Sequence, residues 1–207
     1  MTEYYVPAGS GESEYVEKRS QFLGHVRCVE SEEEAKAFIA EMKKKYYDAR
    51  HNCSCYILRG GVERYADDGE PQGTAGLPML EVFRREGVEN VVCVVTRYFG
   101  GVLLGAGGLV RAYSHTAKIA VEKAGMITMG LCAEGEATCD YTLYGKLQPL
   151  LCREGAILTD TAFADSVTLR FRIPAERWDA LCAAVVDASF GRCTPCRTGE
   201  AFAQIGG

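Results

Sequence analysis

The sequence predicts an α+β protein made of two units, the second of them a ferredoxin-like βαββαβ domain. Three observations carry that prediction. The stretch from Gly125 to Gly130 breaks the 207-residue chain, placing units at 1–127 and 128–207. Beyond the break, strand-like and helix-like segments follow one another in the complete βαββαβ order. Before it, a near-continuous apolar run, Val91–Val95, leads into a glycine-rich turn and then a helix-period segment from Leu109.

Element by element, residues 1 to about 13 are polar and read as a loose arm, and 15–29 has mixed strand character. Ser31 and Glu34 have capping-box spacing and open a helix to about Tyr46, with Ala35, Phe38, Ile39 and Met42 on one face. Residues 52–58 read as a strand, Gly60-Gly61 as a turn, and 64–70 as an acidic loop. A helix is predicted over 74–86, with Thr74 as its cap, Pro78 in its first turn and Gly87 as its stop. The apolar strand over 90–98 has the composition of one covered on both faces. The helix over 109–123 turns Leu109, Tyr113, Thr116, Ala117, Ala120 and Ala124 inward. In the second unit, strands are predicted at 131–141, 156–163, 167–173 and 196–205. Helices lie at 142–154 and from Pro174 to about Ala188, the latter with Trp178, Leu181, Cys182 and Val185 inward.

Composition narrows the function classes. The chain is 47% hydrophobic and 25% charged, ordinary for a soluble globular protein. No apolar run reaches the roughly 18 residues of a membrane span. The first residues lack the basic and apolar regions of a secretory signal. A net charge of −5 argues against sequence-blind nucleic-acid binding, which draws its affinity from basic side chains. Ten cysteines sit largely within apolar patterns, as Cys93, Cys152 and Cys182 do, where free cysteine acts as a small hydrophobe. The reading is a reduced, cytoplasmic protein.

Five glycines fall between Gly100 and Gly108. Such density between ordered elements needs either close backbone packing or a cradle for an anion at a helix N-terminus. Arg97 and Arg111 flank it, and Arg111, Ser114, His115 and Lys118 share one helix face. The candidate ligand-binding residues here are Arg97, Tyr98, Gly100, Gly101, Gly105, Gly107, Gly108, Arg111 and Ser114. Tyr98 and Phe99 are candidates for stacking on bases.

The acidic loop adds Asp67, Asp68, Glu70, Gln72 and Thr74. Its residues suit a plain turn and cap, a ligand contact without metal, or Mg²⁺ bridging carboxylates to phosphate. No other cofactor is indicated. His51-Asn-Cys53-Ser-Cys55 has metal-like residue types but not a zinc-knuckle spacing, so core packing is expected of its cysteines. The lone C-x-x-C at Cys193–Cys196 precedes the last strand and has no second pair to complete a site. Ser114 and His115 are adjacent on a helix, do not face each other, and lack an elbow motif, so no catalytic triad is present.

Three blocks carry a family resemblance: DARHNC (48–53), DDGEPQGTAGLPML (67–80) and VVTRYFGGVLLGAGGLVRAYS (94–114). On them the chain is similar to the IMPACT/YigZ family, over roughly residues 15–125, and its second unit resembles the small C-terminal domain of the bacterial two-domain members. The resemblance implies a first domain like domain 2 of ribosomal protein S5 and a second like a late domain of translocase elongation factors. It implies a non-enzymatic binding protein linked to translation, with RNA, the ribosome or a translation-related protein as partner and no membrane. The alternative is a nucleotide- or phosphate-binding enzyme that uses the glycine-rich loop with Asp67, Asp68 and Glu70.

Overall fold

The computed structural model describes residues 3–205. The chain divides into two compact units, Tyr4–Ile127 and the part from Thr128 onward.

The first unit is a five-stranded antiparallel sheet with helices on both faces. After a first strand outside this sheet, β1 (Glu3–Pro7), its strands are β2 (Gly11–Glu17), β3 (Ser20–Cys28), β4 (His51–Leu58), β5 (Val62–Ala66) and β6 (Val91–Tyr98). The sheet order is β2-β3-β6-β4-β5. The arm expected at the N-terminus is therefore largely strand. Within the unit, β1 is tied down by Tyr5 N–H donating to Gly87 O at 3.1 Å and Glu89 N–H to Tyr5 O at 2.8 Å. The predicted strand over 15–29 is part of a hairpin, because Lys18 and Arg19 both adopt positive φ and reverse the chain. That is the hand of turn that matches strand twist, and it needs no glycine here.

Helix α1 (Glu32–Lys45) covers one face. Ser31 Oγ accepts from Glu34 N–H at 3.2 Å, and the Glu34 carboxylate accepts from Glu30 N–H at 2.8 Å. Phe38 and Met42 pack on Val92, Val94, Tyr56 and Leu58. Helices α2 (Gly76–Glu86) and α3 (Ala106–Ala124) cover the other face, over Phe22, Cys53, Val91, Cys93 and Val95. Strand β6 thus has both faces buried, which is why its sequence is continuously apolar rather than alternating.

Two boundaries differ from expectation. Residues 64–66 extend β5, so the acidic loop begins at Asp67. Helix α2 starts at Gly76 with no side-chain cap from its own N-cap residue, so Thr74 is not the cap. Gly87 ends it in the left-handed conformation, as predicted (φ 67°).

The second unit has β7 (Met126–Cys139), α4 (Tyr141–Arg153), β8 (Ile157–Phe163), β9 (Val167–Pro174), α5 (Trp178–Ala188) and β10 (Cys196–Gln204). The antiparallel order β10-β7-β9-β8 is the ferredoxin-like pattern. The expected break at Gly125–Gly130 lies mostly inside β7, which runs straight through it. A turn of 3-10 helix at Ala175–Arg177 precedes α5, which buries Leu181 and Val185 fully, while Trp178 and Cys182 are only half-buried. Asp140 caps α4 by accepting from Leu143 N–H at 2.8 Å. Leu147, Leu151, Leu169, Phe171 and Val185 form the core. All ten cysteines are free. No helix among the described residues is long and apolar enough to cross a membrane.

Candidate functional site

Glu70 and Arg97 anchor a cleft in the first unit. Arg97 projects from β6 and is 5% exposed, and Glu70, on the loop after β5, is 8% exposed. Arg97 Nη1 donates to Glu70 Oε1 at 2.7 Å, and Arg97 Nη2 donates to Ser20 Oγ at 3.2 Å. The Tyr113 hydroxyl, from α3, donates to the same Glu70 oxygen at 2.9 Å. Burial, with Cys53 and Glu70 beside it, pushes the Tyr113 phenol upward, so it stays a proton donor. Burial likewise pushes the Cys53 thiol up and makes it an inert core group.

His51 opens β4 on the rim of this network. Its Nδ1 lies 2.9 Å from Asp68 O. A carbonyl can only accept, so Nδ1 carries a proton, and Nε2 turns inward, 3.9 Å from Glu70 Oε1. Arg50, Phe99, Leu104, Gly105 and Leu109 complete a cleft of about 310 Å³. The Arg50 and Arg97 guanidinium carbons lie 5.7 and 5.5 Å from the centre of the Phe99 ring.

The three acidic-loop carboxylates do not converge. Asp67 Oδ1 accepts from Ala75 and Gly76 N–H at 3.1 and 2.8 Å, and Oδ2 from Gly73 N–H at 2.8 Å. Asp67 therefore caps α2 from across the loop, a task the sequence assigned to Thr74. Asp68 accepts from Lys43 Nζ and Asn52 N–H, each at 2.7 Å. Burial alone would raise the Asp68 carboxyl, but these two donors hold it below its ordinary value. Glu70 is taken by Arg97 and Tyr113. A Mg²⁺ bridge over these residues lacks its cluster, and among the described residues no group of three His, Cys, Asp or Glu is placed to hold a metal. Thr74 Oγ1 donates to Pro71 O at 2.6 Å and closes the turn, while Gln72 is exposed and lines no part of the cleft.

The glycine-rich stretch also serves divided roles. A Cβ on Gly100 would sit 2.0 Å from the Arg19 carbonyl carbon, so close packing demands this glycine. Gly105, at φ +74°, is the N-cap of α3, has no side chain to cap the helix, and faces the cleft. Gly101 and Gly107 are exposed, with a Cβ finding open space at the first and only the Arg111 guanidinium, at 3.9 Å, at the second. Tyr98 points away from Arg97, as neighbours on a strand must, and its hydroxyl donates to Asp48 at 2.8 Å.

Arg97 and Arg111 do not share a face. Arg111 lines a separate groove of about 510 Å³ with Ser114, His115, Lys118 and Gly108 of α3, Val82 and Arg85 of α2, and Tyr15 and Glu17 of β2. Among the described residues, neither Arg85 nor Arg111 lies within ion-pair distance of a carboxylate. Glu17 is engaged by the Tyr15 hydroxyl at 2.9 Å, and Ser114 Oγ donates to Pro78 O at 3.3 Å.

Ser20, Arg50, His51 and Tyr113 were not among the predicted site residues. Tyr113 shows only as a core position, and Ser20 lies 77 positions from Arg97. Arg50 and His51 stand inside the DARHNC block, the one signal that could have drawn them in.

Fold and sites together define a two-domain α+β protein with a buried ion-pair cleft and a basic groove on its first domain. Residues 18–121 match the Impact N-terminal domain, and residues 138–192 match a domain of unknown function, DUF1949. The chain is 38% identical to the IMPACT family member YvyE of Bacillus subtilis, over 79% of this chain and 76% of that protein. It is 32% identical to the IMPACT family member YigZ of Escherichia coli, over 84% and 87%. Protein IMPACT of Mus musculus matches at 33% over 52% of this chain and 35% of its own length. A crystal structure described as that of a hypothetical protein aligns with a TM-score of 0.60 at 30% identity, covering 96% of this chain and 98% of that one. The chain belongs to the IMPACT family.

Proposed function

We propose that this protein is a non-enzymatic, cytoplasmic binding protein of the translation apparatus, docking on ribosomal RNA through the groove between α2 and α3. The observation that carries this reading is the groove's charge. Arg85, Arg111, His115 and Lys118 open onto one concave surface of a chain whose net charge is −5. Lys118 shares its charge with Glu86 and Glu122, at 3.8 and 4.0 Å, but among the described residues the two arginines have no such partner. A local cationic strip on an acidic protein favours a defined phosphate-bearing surface over free nucleic acid, because the remaining surface repels polyanions. Val82, Val110 and Tyr15 supply an apolar floor against which a sugar or base edge packs.

Sedimentation with bacterial ribosomes through a sucrose cushion tests it. The protein is expected in the ribosomal pellet at about 50 mM salt and depleted from it at about 200 mM, since a few phosphate contacts give a steep salt dependence. Arg85→Glu/Arg111→Glu should abolish pelleting. Equal pelleting of that variant, or none by the wild type, overturns the reading.

A further inference from the structure

We infer that the cleft between Glu70, Arg97 and Gly105 binds a nucleoside monophosphate, with its phosphate at the N-terminus of α3 and Arg50, a sugar hydroxyl at His51 and its base against Phe99. This site is separate from the α2/α3 groove and does not rest on the docking reading.

Four features of the cleft select that chemistry. First, α3 is a 19-residue helix whose N-cap, Gly105, offers no side-chain cap, so its leading N–H groups and positive dipole end are open to an anion. Second, and independently, Arg97 stands in the wall almost fully buried, and its Nε has no hydrogen-bond partner among the described residues. Burying an ion pair with a donor left unmet is costly, and a fold retains such an arrangement where the site needs it. Third, His51 lines the cleft with its ring held by the Nδ1 contact to Asp68 O at 2.9 Å, leaving Nε2 for a ligand. A ligand hydroxyl, which can both donate and accept, fits it. Fourth, the rim carries a flat aromatic surface: Phe99 is 39% exposed, with Arg50 over its ring, and the neighbouring Leu103 is 82% exposed. Nucleobases stack on such faces.

An aromatic carboxylate would satisfy the cation and the ring but would bring no hydroxyl to His51. Inorganic phosphate would satisfy the helix end alone and leave the apolar wall bare. A mononucleotide supplies anion, hydroxyls and flat base together. The volume of about 310 Å³ lies at the small end of ligand pockets, which suits a single nucleotide and no longer strand.

Isothermal titration calorimetry of the whole chain with AMP, GMP, CMP and UMP, and with inorganic phosphate as control, tests the assignment. Saturable binding of at least one nucleotide is expected, tighter than phosphate alone. Arg50→Glu should weaken it about tenfold or more, the scale of one charge-assisted contact. Leu103→Trp should weaken it by filling the mouth. Both positions are exposed, and circular dichroism shows whether the variants remain folded. Arg85→Glu/Arg111→Glu should bind nucleotide as the wild type does, whatever it does to ribosome pelleting. No binding of any nucleotide, equal affinity for bare phosphate, unchanged affinity in both folded cleft variants, or loss in the groove variant would each overturn the inference.

Discussion

Arg97 and Glu70 stand 27 positions apart in the chain and meet in a 2.7 Å ion pair whose side chains are 6% and 3% exposed. The pair joins the central strand β6 to the loop ahead of α2, and Tyr113 locks it to α3. Its Coulomb gain is set against the loss of hydration of two charges, so its worth shows mainly when one partner is removed.

Glu70→Gln should therefore destabilise the first unit by about 3–5 kcal/mol, because it strands a buried guanidinium. Urea unfolding followed by circular dichroism measures it. Glu70→Leu/Arg97→Met should cost less than the sum of the corresponding single changes, since the double change leaves no charge unmatched. A cost below about 1 kcal/mol for Glu70→Gln would mean that water reaches the pair.

Asp67→Ala removes the acceptor of three backbone N–H groups at the start of α2. The expected loss is about 1–2 kcal/mol, the upper part of the range for helix caps. Thr74→Val should cost less, because Thr74 closes the turn and caps nothing. Thermal unfolding of the two variants side by side reads the order, and the reverse order would return the cap to Thr74.

Gly100→Ala and Gly107→Ala should have opposite signs. At Gly100 the added Cβ would run into the backbone of Arg19, and a shift of the β2–β3 turn costs about 1–3 kcal/mol. At Gly107, in the first turn of α3, the nearest atom is the Arg111 guanidinium at 3.9 Å, so alanine should stabilise by about 0.5–1 kcal/mol through helix propensity. Equal destabilisation by both would mean that the whole glycine run is needed for packing.

His25 gives the first unit a stability that depends on pH. Its ring is buried against Tyr46, its Nε2 has no partner among the described residues, and Glu12 lies 3.5 Å from Nδ1. Burial, outweighing the pull of Glu12, lowers its pKa from the ordinary 6.5. The folded state then resists protonation more than the unfolded chain does, and the unfolded chain takes up the extra proton. Stability should be full above about pH 6.5 and fall as the pH drops from there toward the folded-state value. His25→Phe should flatten the slope of urea stability against pH across that window, and an unchanged slope assigns the effect to another group.

Signals that act over a few residues were legible in the sequence. Ser31 and Glu34 mark the start of α1 and Gly87 the end of α2, because capping is chemistry within one turn. The alternation over 167–173 gives the strand β9 with one face buried, and the continuous apolar run gives β6, enclosed on both sides. The strand at 11–17 was not legible, because its turn uses Lys18 and Arg19 where glycine or asparagine is the usual signal.

The sequence by itself determined the two α+β units, the element order of the second and the family, all of which rest on local periodicity, capping and contiguous motifs. Only the tertiary structure decided what each charge does. Arg97 and Arg111 look equivalent beside the glycine run, yet one is buried on Glu70 and the other opens into a groove. Asp67, Asp68 and Glu70 are neighbours in sequence, yet they serve a helix end, a lysine and an arginine. A charged side chain finds its partner across the sheet, through backbone that the fold brings together from distant positions, and no local pattern records that distance.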